Sequence, residues 1–222
     1  MEDAAELPDD AAYLLARWDE AFPRRRALGA ELVHRYDDPM RIYHDLRHLR
    51  TGLDVVDTLF GEMAGAVGRS ADALDRRAVT LAAWFHDAVY EIPAADNEEA
   101  SARLAESVLP AYDFDEETTT EVARLVRLTR DHAVAAGDVN GAVLSDADLS
   151  ILASPADRYD DYALEIRAEY HHLRETVFRR GRADVLGRLL ARPALFHTPY
   201  GRANWEAPAR ANIERELALI RG

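Results

Sequence analysis

Apolar residues recur at intervals of three and four along most of this chain, and no stretch alternates with a period of two. Leu49, Leu53, Val56, Phe60 and Met63 form one series, and Leu74, Ala78, Leu81 and Phe85 a second. Tyr159, Tyr162, Ile166, Tyr170, Leu173 and Val177 form a third, and Ile213, Leu217 and Ile220 close the chain in the same way. Such a stripe buries one face of an α-helix. Without β-branched alternation there is no strand to pair. The expected fold class is therefore all-α. At 222 residues the chain has material for one sizeable core and is short for two, so a single domain over residues 1–222 is expected. The periodic segments predict roughly eight to ten helices.

Several helix starts are legible. Asp96 with Glu99 resembles a capping box with Asp as the N-cap. Ser154, Pro155 and Asp157 read as N-cap, first helical residue and acidic first turn. Asp115 followed by Glu116 and Glu117 is another acidic start. Pro23 splits the first helical stretch in two. Segments 61–70 and 136–142 are short enough to be interhelical loops.

Lys and Arg number 27 against 41 Asp and Glu, a net charge of −14. That surface repels phosphate backbones, so bulk nucleic-acid binding is not expected. A small anion remains admissible where Arg residues or a metal reverse the local potential. No apolar run is long enough to span a bilayer. The opening MEDAAELPDD lacks a signal peptide's basic and apolar regions, and there is no Cys. Both point to a cytoplasmic protein, and the second excludes thiolate metal sites and a Cys nucleophile.

Three of the eight histidines fall in two compact motifs, Tyr43-His44-Asp45-Leu46-Arg47-His48 and Trp84-Phe85-His86-Asp87. His44 and His48 are four apart and share a helix face. Two such imidazoles either hold a metal jointly or divide metal binding from proton transfer. His86-Asp87 ends an apolar helix read over 74–85, and an ionised Asp delivered into a core calls for a cation. Ser145-Asp146-Ala147-Asp148 supplies two more carboxylates, one of which can complete an N/O ligand set. Two His and two carboxylates suit Mn, Fe, Zn or Mg without choosing among them. Each element also has an ordinary structural use, as a packed His, a capping pair or a helix cap. Their joint occurrence in the order H…HD…D is far more specific than any one alone.

That order, with the stretches YHDLRH, WFHDAVY, DNEEAS, DADLSIL, YALEIRAEY and ARANIERE, resembles the HD superfamily of metal-dependent phosphohydrolases. Within it the chain looks like the bacterial family of predicted HD hydrolases of unknown substrate. The resemblance runs roughly from Tyr43 to the C-terminus and implies a single HD-type helical bundle. Asp45 stands where such proteins usually carry Asn. The motifs are also similar to the core of cyclic-nucleotide phosphodiesterases. By that resemblance His44 is the proton donor, and His48, His86, Asp87 and Asp148 are the metal ligands. Asp87 is also catalytic there, as the group that can bridge to a second ion. The purine-holding glutamine and aromatic clamp have no counterpart here, so cyclic-nucleotide specificity does not carry over.

Asp146 and Asp148 are two apart and point about 160° from each other on a helix, so only one faces the ion. The resemblance assigns Asp148, and Asp146, nearer the expected helix start, is read as a cap or as a bond to a ligand His. Asn97, Glu98, His132 and Arg210 are candidate substrate contacts. Arg167, Glu169 and Tyr170 read as a surface salt-bridging group, and His34, His171 and His172 as surface or packing residues. The expected protein is a metal-dependent hydrolase of a small phosphoester or nucleotide using one or two divalent ions. The opposing class is a non-catalytic helical protein that keeps the metal site to bind a ligand or hold its fold. The oligomeric state is open.

Overall fold

The computed structural model describes residues 10–65, 74–93 and 96–221. Among them are eleven α-helices, two 3₁₀ segments and no strand. The helices are α1 (Asp10–Ala21), α2 (Arg26–Tyr36), α3 (Leu46–Gly65), α4 (Arg76–Phe85), α5 (Asn97–Val108) and α6 (Glu116–Leu128). They continue with α7 (Val139–Asp148), α8 (Ala156–Glu169), α9 (Glu175–Leu190), α10 (Pro199–Asn204) and α11 (Glu206–Arg221). The 3₁₀ segments are Pro110–Tyr112 and Leu149–Ala153. The all-α class is as expected. No helix among the described residues is long and apolar enough to cross a membrane.

Aspartates start several helices by accepting a free first-turn N–H. Asp75 takes that of Ala78 at 2.9 Å, Asp115 that of Thr118 at 2.7 Å and Asp138 that of Gly141 at 2.9 Å. Two expected starts differ in detail. Asp96 precedes α5 but makes no side-chain capping bond, and the Glu99 side chain, the other half of the expected box, pairs with Arg103 and Arg127. Ser154 ends the 3₁₀ segment, and α8 begins at Ala156, after Pro155. Of the expected loop 61–70, residues 61–65 belong to α3 and 66–70 lie outside the described residues.

Two apolar clusters form the core. The first gathers α1 to α7 around Trp18, Tyr36, Trp84 and Phe85, all fully buried. The second packs α8, α9 and α11 around Tyr159, Leu186, Phe196 and Ile213, and it includes Tyr43 and Leu152. Trp205 packs against both. Two of the places where the chain passes from one cluster to the other lie between Tyr43 and Leu49 and between Ala147 and Leu152. Those passages carry His44, His48 and Asp148. The chemically loaded residues therefore sit at the seam between two packed bodies, where polar groups can enter a core without displacing its apolar contacts.

Candidate metal centre

α4 carries the first half of the site. Its stripe of Ala78, Leu81, Ala82 and Phe85 is fully buried, and the helix ends where His86 and Asp87 begin. His86 is 4% exposed. Its Nδ1 lies 2.8 Å from the Ala83 carbonyl oxygen. A carbonyl only accepts, so Nδ1 carries the proton and the Nε2 lone pair faces inward.

α3 carries the second half. The Asp45 carboxylate accepts the backbone N–H groups of Arg47 at 2.9 Å and His48 at 3.2 Å, which caps the helix. Asp and Asn are near-equal N-caps, so Asp45 serves this purpose as well as an Asn. From the capped first turn His48 projects inward, and its Nε2 meets His86 Nε2 at 3.0 Å. Asp87 Oδ2 lies 3.2 Å from His86 Nε2 and 3.4 Å from His48 Nε2. Asp148 Oδ1 lies 3.6 Å from each.

The two nitrogens stand 3.0 Å apart, and each carboxylate oxygen lies 3.2 to 3.6 Å from both of them. Donors about 2.1 Å from a divalent ion stand about 3.0 Å apart in octahedral and about 3.4 Å apart in tetrahedral arrangement. His48, His86 and Asp148 therefore fit such an ion in both kind and spacing, and Asp87 stands beside both imidazoles. His48, His86 and Asp148 each offer one atom within 4.8 Å of the others. The charge balance agrees: burial lowers the His86 pKa, but Asp87 and Asp148 outweigh it and raise it to about 10. A site that holds a proton against desolvation is a site built for positive charge.

Asp146 and Asp148 lie in the last turn of α7, not near its start as expected. Two residues along a helix turn the side chains to opposite sides. Asp146 is fully buried and accepts the N–H of His197 at 2.7 Å, the N–H of Thr198 at 2.8 Å and the Thr198 hydroxyl at 2.7 Å. It ties the approach to α10 rather than capping α7 or bonding a ligand His. A Cβ on Gly201 would stand 2.5 Å from its Oδ2, so only glycine permits that approach.

His44 is turned toward the same place by a residue that sequence reasoning put on the surface. Glu169, the last residue of α8, is 3% exposed. Its Oε1 accepts three consecutive backbone N–H groups, from Ile42, Tyr43 and His44, at 2.8 to 2.9 Å. Its Oε2 lies 2.7 Å from His44 Nδ1. Burial raises and these donors lower the Glu169 pKa, and the net is a fall to about 2. The ionised carboxylate fixes the proton on Nδ1 and leaves Nε2 as the working edge of His44. Burial lowers the His44 pKa, the bond to Glu169 with the charges of Asp87, Glu169 and Asp148 raises it, and the net is upward. Tyr90 stacks on the ring with centroids 4.2 Å apart.

Arg41 joins the two motifs. It is 9% exposed and donates to the Asp87 carbonyl at 2.7 Å and the His44 carbonyl at 3.3 Å. No local pattern signals it. A signal did exist for Glu169, which stands three residues after Ile166 on the stripe of Tyr159 and Tyr162.

His44, Asp87 and Asp148 line one cavity of about 440 Å³, together with Tyr90, Glu98 and His132. His132 has φ +50°, a left-handed conformation that His adopts more readily than most residues. Its Nε2 lies 3.5 Å from Asp148 Oδ2 and its Nδ1 3.3 Å from the Ser145 hydroxyl. The other two expected substrate contacts are corrected. Asn97 clamps the backbone of Glu91 through two bonds of 3.0 Å. Arg210 is consumed by Glu206 at 2.7 Å and by the carbonyls of Leu190 and Arg192 at 3.0 and 2.8 Å. Neither borders the cavity. His34, His171 and His172 are exposed.

The arrangement can hold a divalent cation at the seam and present the His44 imidazole beside it, facing a cavity large enough for a small molecule. No family model, no curated protein and no solved structure matches this chain.

Proposed function

We propose that this protein is a metal-dependent phosphohydrolase of a small phosphoester, with the metal centre and acid arranged as in HD-type enzymes. One observation carries the reading: His48, His86 and Asp148 bring three donor atoms together with Asp87 beside both imidazoles, while His44, backed by Glu169, lines the cavity that Asp87 and Asp148 also border. A structural ion needs ligands only. It does not need a second imidazole held by a buried carboxylate at its side.

When bound, a divalent ion supplies Lewis acidity toward a phosphoryl oxygen and acidifies water. The remaining work belongs to the chain. His44, protonated on both nitrogens, gives its Nε2 proton to the leaving oxygen as the phosphorus–oxygen bond breaks. Water adds to phosphorus, and the proton it loses reaches solvent and restores His44. The products are the alcohol and inorganic phosphate. Glu169 holds the imidazolium oriented, and His132 Nε2 stands 3.5 Å from Asp148 Oδ2 beside it.

The test is hydrolysis of an aryl phosphate by protein loaded with Mn²⁺, Mg²⁺, Fe²⁺ or Zn²⁺ in turn. Turnover that vanishes in His86→Ala is the expected result. Tight metal binding with no turnover under any ion would overturn the enzyme reading in favour of a metal- or ligand-binding protein.

A further inference from the structure

The cavity over the candidate centre has two unlike halves. Its floor is polar: His44, Asp87, Asp148, Glu98 and His132. Its far wall is apolar and comes from the end of α8, the turn after it and α9, through Ile166, Tyr170, Leu173, Val177, Phe178 and Val185. Val177 and Val185 are 54% and 41% exposed. They are two of only six large apolar residues left exposed among the described residues, and both line this one cavity. An apolar wall held open to water beside a polar floor has the make-up of a ligand pocket, and about 440 Å³ falls in the small-molecule range of about 300–1,000 Å³.

The charges on the lining are as informative. Among the described residues its only Lys or Arg is Arg182. That guanidinium is already bound to the two Glu216 oxygens at 2.8 and 3.0 Å and to the Tyr162 hydroxyl at 3.2 Å. A bidentate pair of this kind leaves little positive potential for a ligand. Asp87, Asp148 and Glu98 are all acidic. A single phosphoryl group can be neutralised by an ion and His44. A second or third phosphate would face Glu98 and the apolar wall, with no free Lys or Arg among the described lining residues to meet it.

We propose that the cavity takes the phosphate monoester of an apolar, ring-sized alcohol and discriminates against nucleoside polyphosphates. The phosphoryl group lies on the polar floor and the alcohol moiety against Val177, Phe178 and Val185. The inference rests on the hydrolase reading for its reaction, while the affinity of the wall for an apolar group stands apart from it.

Two measurements separate them. The first is calorimetric titration of 1-naphthol into the metal-free wild type, Val177→Asp and Val185→Asp, with circular dichroism confirming that each variant is folded. Both positions are exposed, so a charge there is tolerated by the fold. Wild-type binding weakened at least about tenfold by either Asp is expected, since a carboxylate placed on the wall must desolvate to admit the ring. No wild-type binding, or equal binding by all three proteins, overturns the proposal. The second is kcat/KM with Mn²⁺ for 1-naphthyl phosphate and ATP. A preference of at least about tenfold for the naphthyl ester is expected, with Val185→Asp raising its KM more than it lowers kcat. Equal or better use of ATP overturns the proposal. If neither compound turns over, the hydrolase reading fails and the naphthol titration alone decides the cavity.

Discussion

Glu169→Gln removes one charge and almost no volume, which makes it the cleanest probe of how the site is held together. A carboxylate at the C-terminal end of its own helix is disfavoured by the helix dipole. Glu169 is ionised there because three N–H groups of residues 42–44 and the His44 ring converge on it. Its pKa falls from the usual 4.5 to about 2. A shift of two to three units corresponds to about 3 kcal/mol of stability. Because the folded-state pKa is the lower one, this contribution is fully present above about pH 4.5 and is lost as pH falls toward about 2. The Gln variant should therefore be about 2–4 kcal/mol less stable than the wild type at pH 7, and the gap should narrow steadily below pH 4.5. Urea unfolding followed by circular dichroism at pH 7, 5, 4 and 3.5 measures it. The amide also offers an N–H where His44 needs an acceptor, so His44 loses its fixed proton and its raised pKa, and the basic limb of the rate profile should move to lower pH. A stability gap that stays constant from pH 7 to pH 3.5 would refute the argument that the buried charge of Glu169 does this work.

Removing a ligand should be felt as lost cation affinity: in His86→Ala and Asp87→Ala, the rise in melting temperature that Mn²⁺ gives the wild type should disappear, and elemental analysis should find no retained metal. His44→Asn should keep the metal and lose turnover by about 10²–10⁴-fold, the usual share of a general acid, whereas His48→Asn should lose both. Equal metal loss in the two would make His44 a ligand. Asp146→Asn should cost about 1–3 kcal/mol of stability, because the amide puts an N–H donor where one of the two oxygens accepted from His197 or Thr198, with metal affinity little changed. Asp148→Asn should do the reverse, and metal affinity falling equally in both would exchange their roles.

The helices were legible because their apolar stripes follow local rules, whereas the pairing of His48 and His86 with Asp148 was implied by the resemblance to the HD pattern and not by any spacing. The stripe of α4 runs straight into His86, and a two-residue offset on a helix sends Asp146 and Asp148 to opposite sides. What could not be read locally depends on distant partners. Asp146 looked like a cap because its sequence neighbours offer nothing else, while its real donors lie 51 and 52 positions downstream. For Arg210 the sequence left a ligand or an acidic neighbour open; Glu206 is that neighbour, and the carbonyls that occupy the rest of the guanidinium are 18 and 20 positions away. Tyr159 to Val177 reads as one continuous stripe, yet the chain breaks after Glu169 with no Gly or Pro to mark it. The break is held instead by Arg167, whose guanidinium donates to the carbonyls of Tyr170 and Leu173 at 2.9 and 3.2 Å and so satisfies groups that a continuing helix would have bonded.

That break is also what sets the site. Because α8 stops at Glu169, the carboxylate projects from a helix end into the N–H groups of the segment that carries His44. Because the chain turns there, α9 folds back to bring Val177, Phe178 and Val185 over the cavity. Had the stripe continued as one helix, it would have carried Val177 about 12 Å beyond Glu169 along the axis, at about 1.5 Å per residue. The apolar wall would then stand away from the ionic floor. The two halves of the cavity thus depend on one local event, and Arg167→Ala is its test. Loss of the guanidinium should loosen the turn and raise KM for 1-naphthyl phosphate while metal affinity holds, because His48, His86, Asp87 and Asp148 lie on other elements. Metal affinity falling in step with KM would show instead that the turn and the metal centre are one cooperative unit.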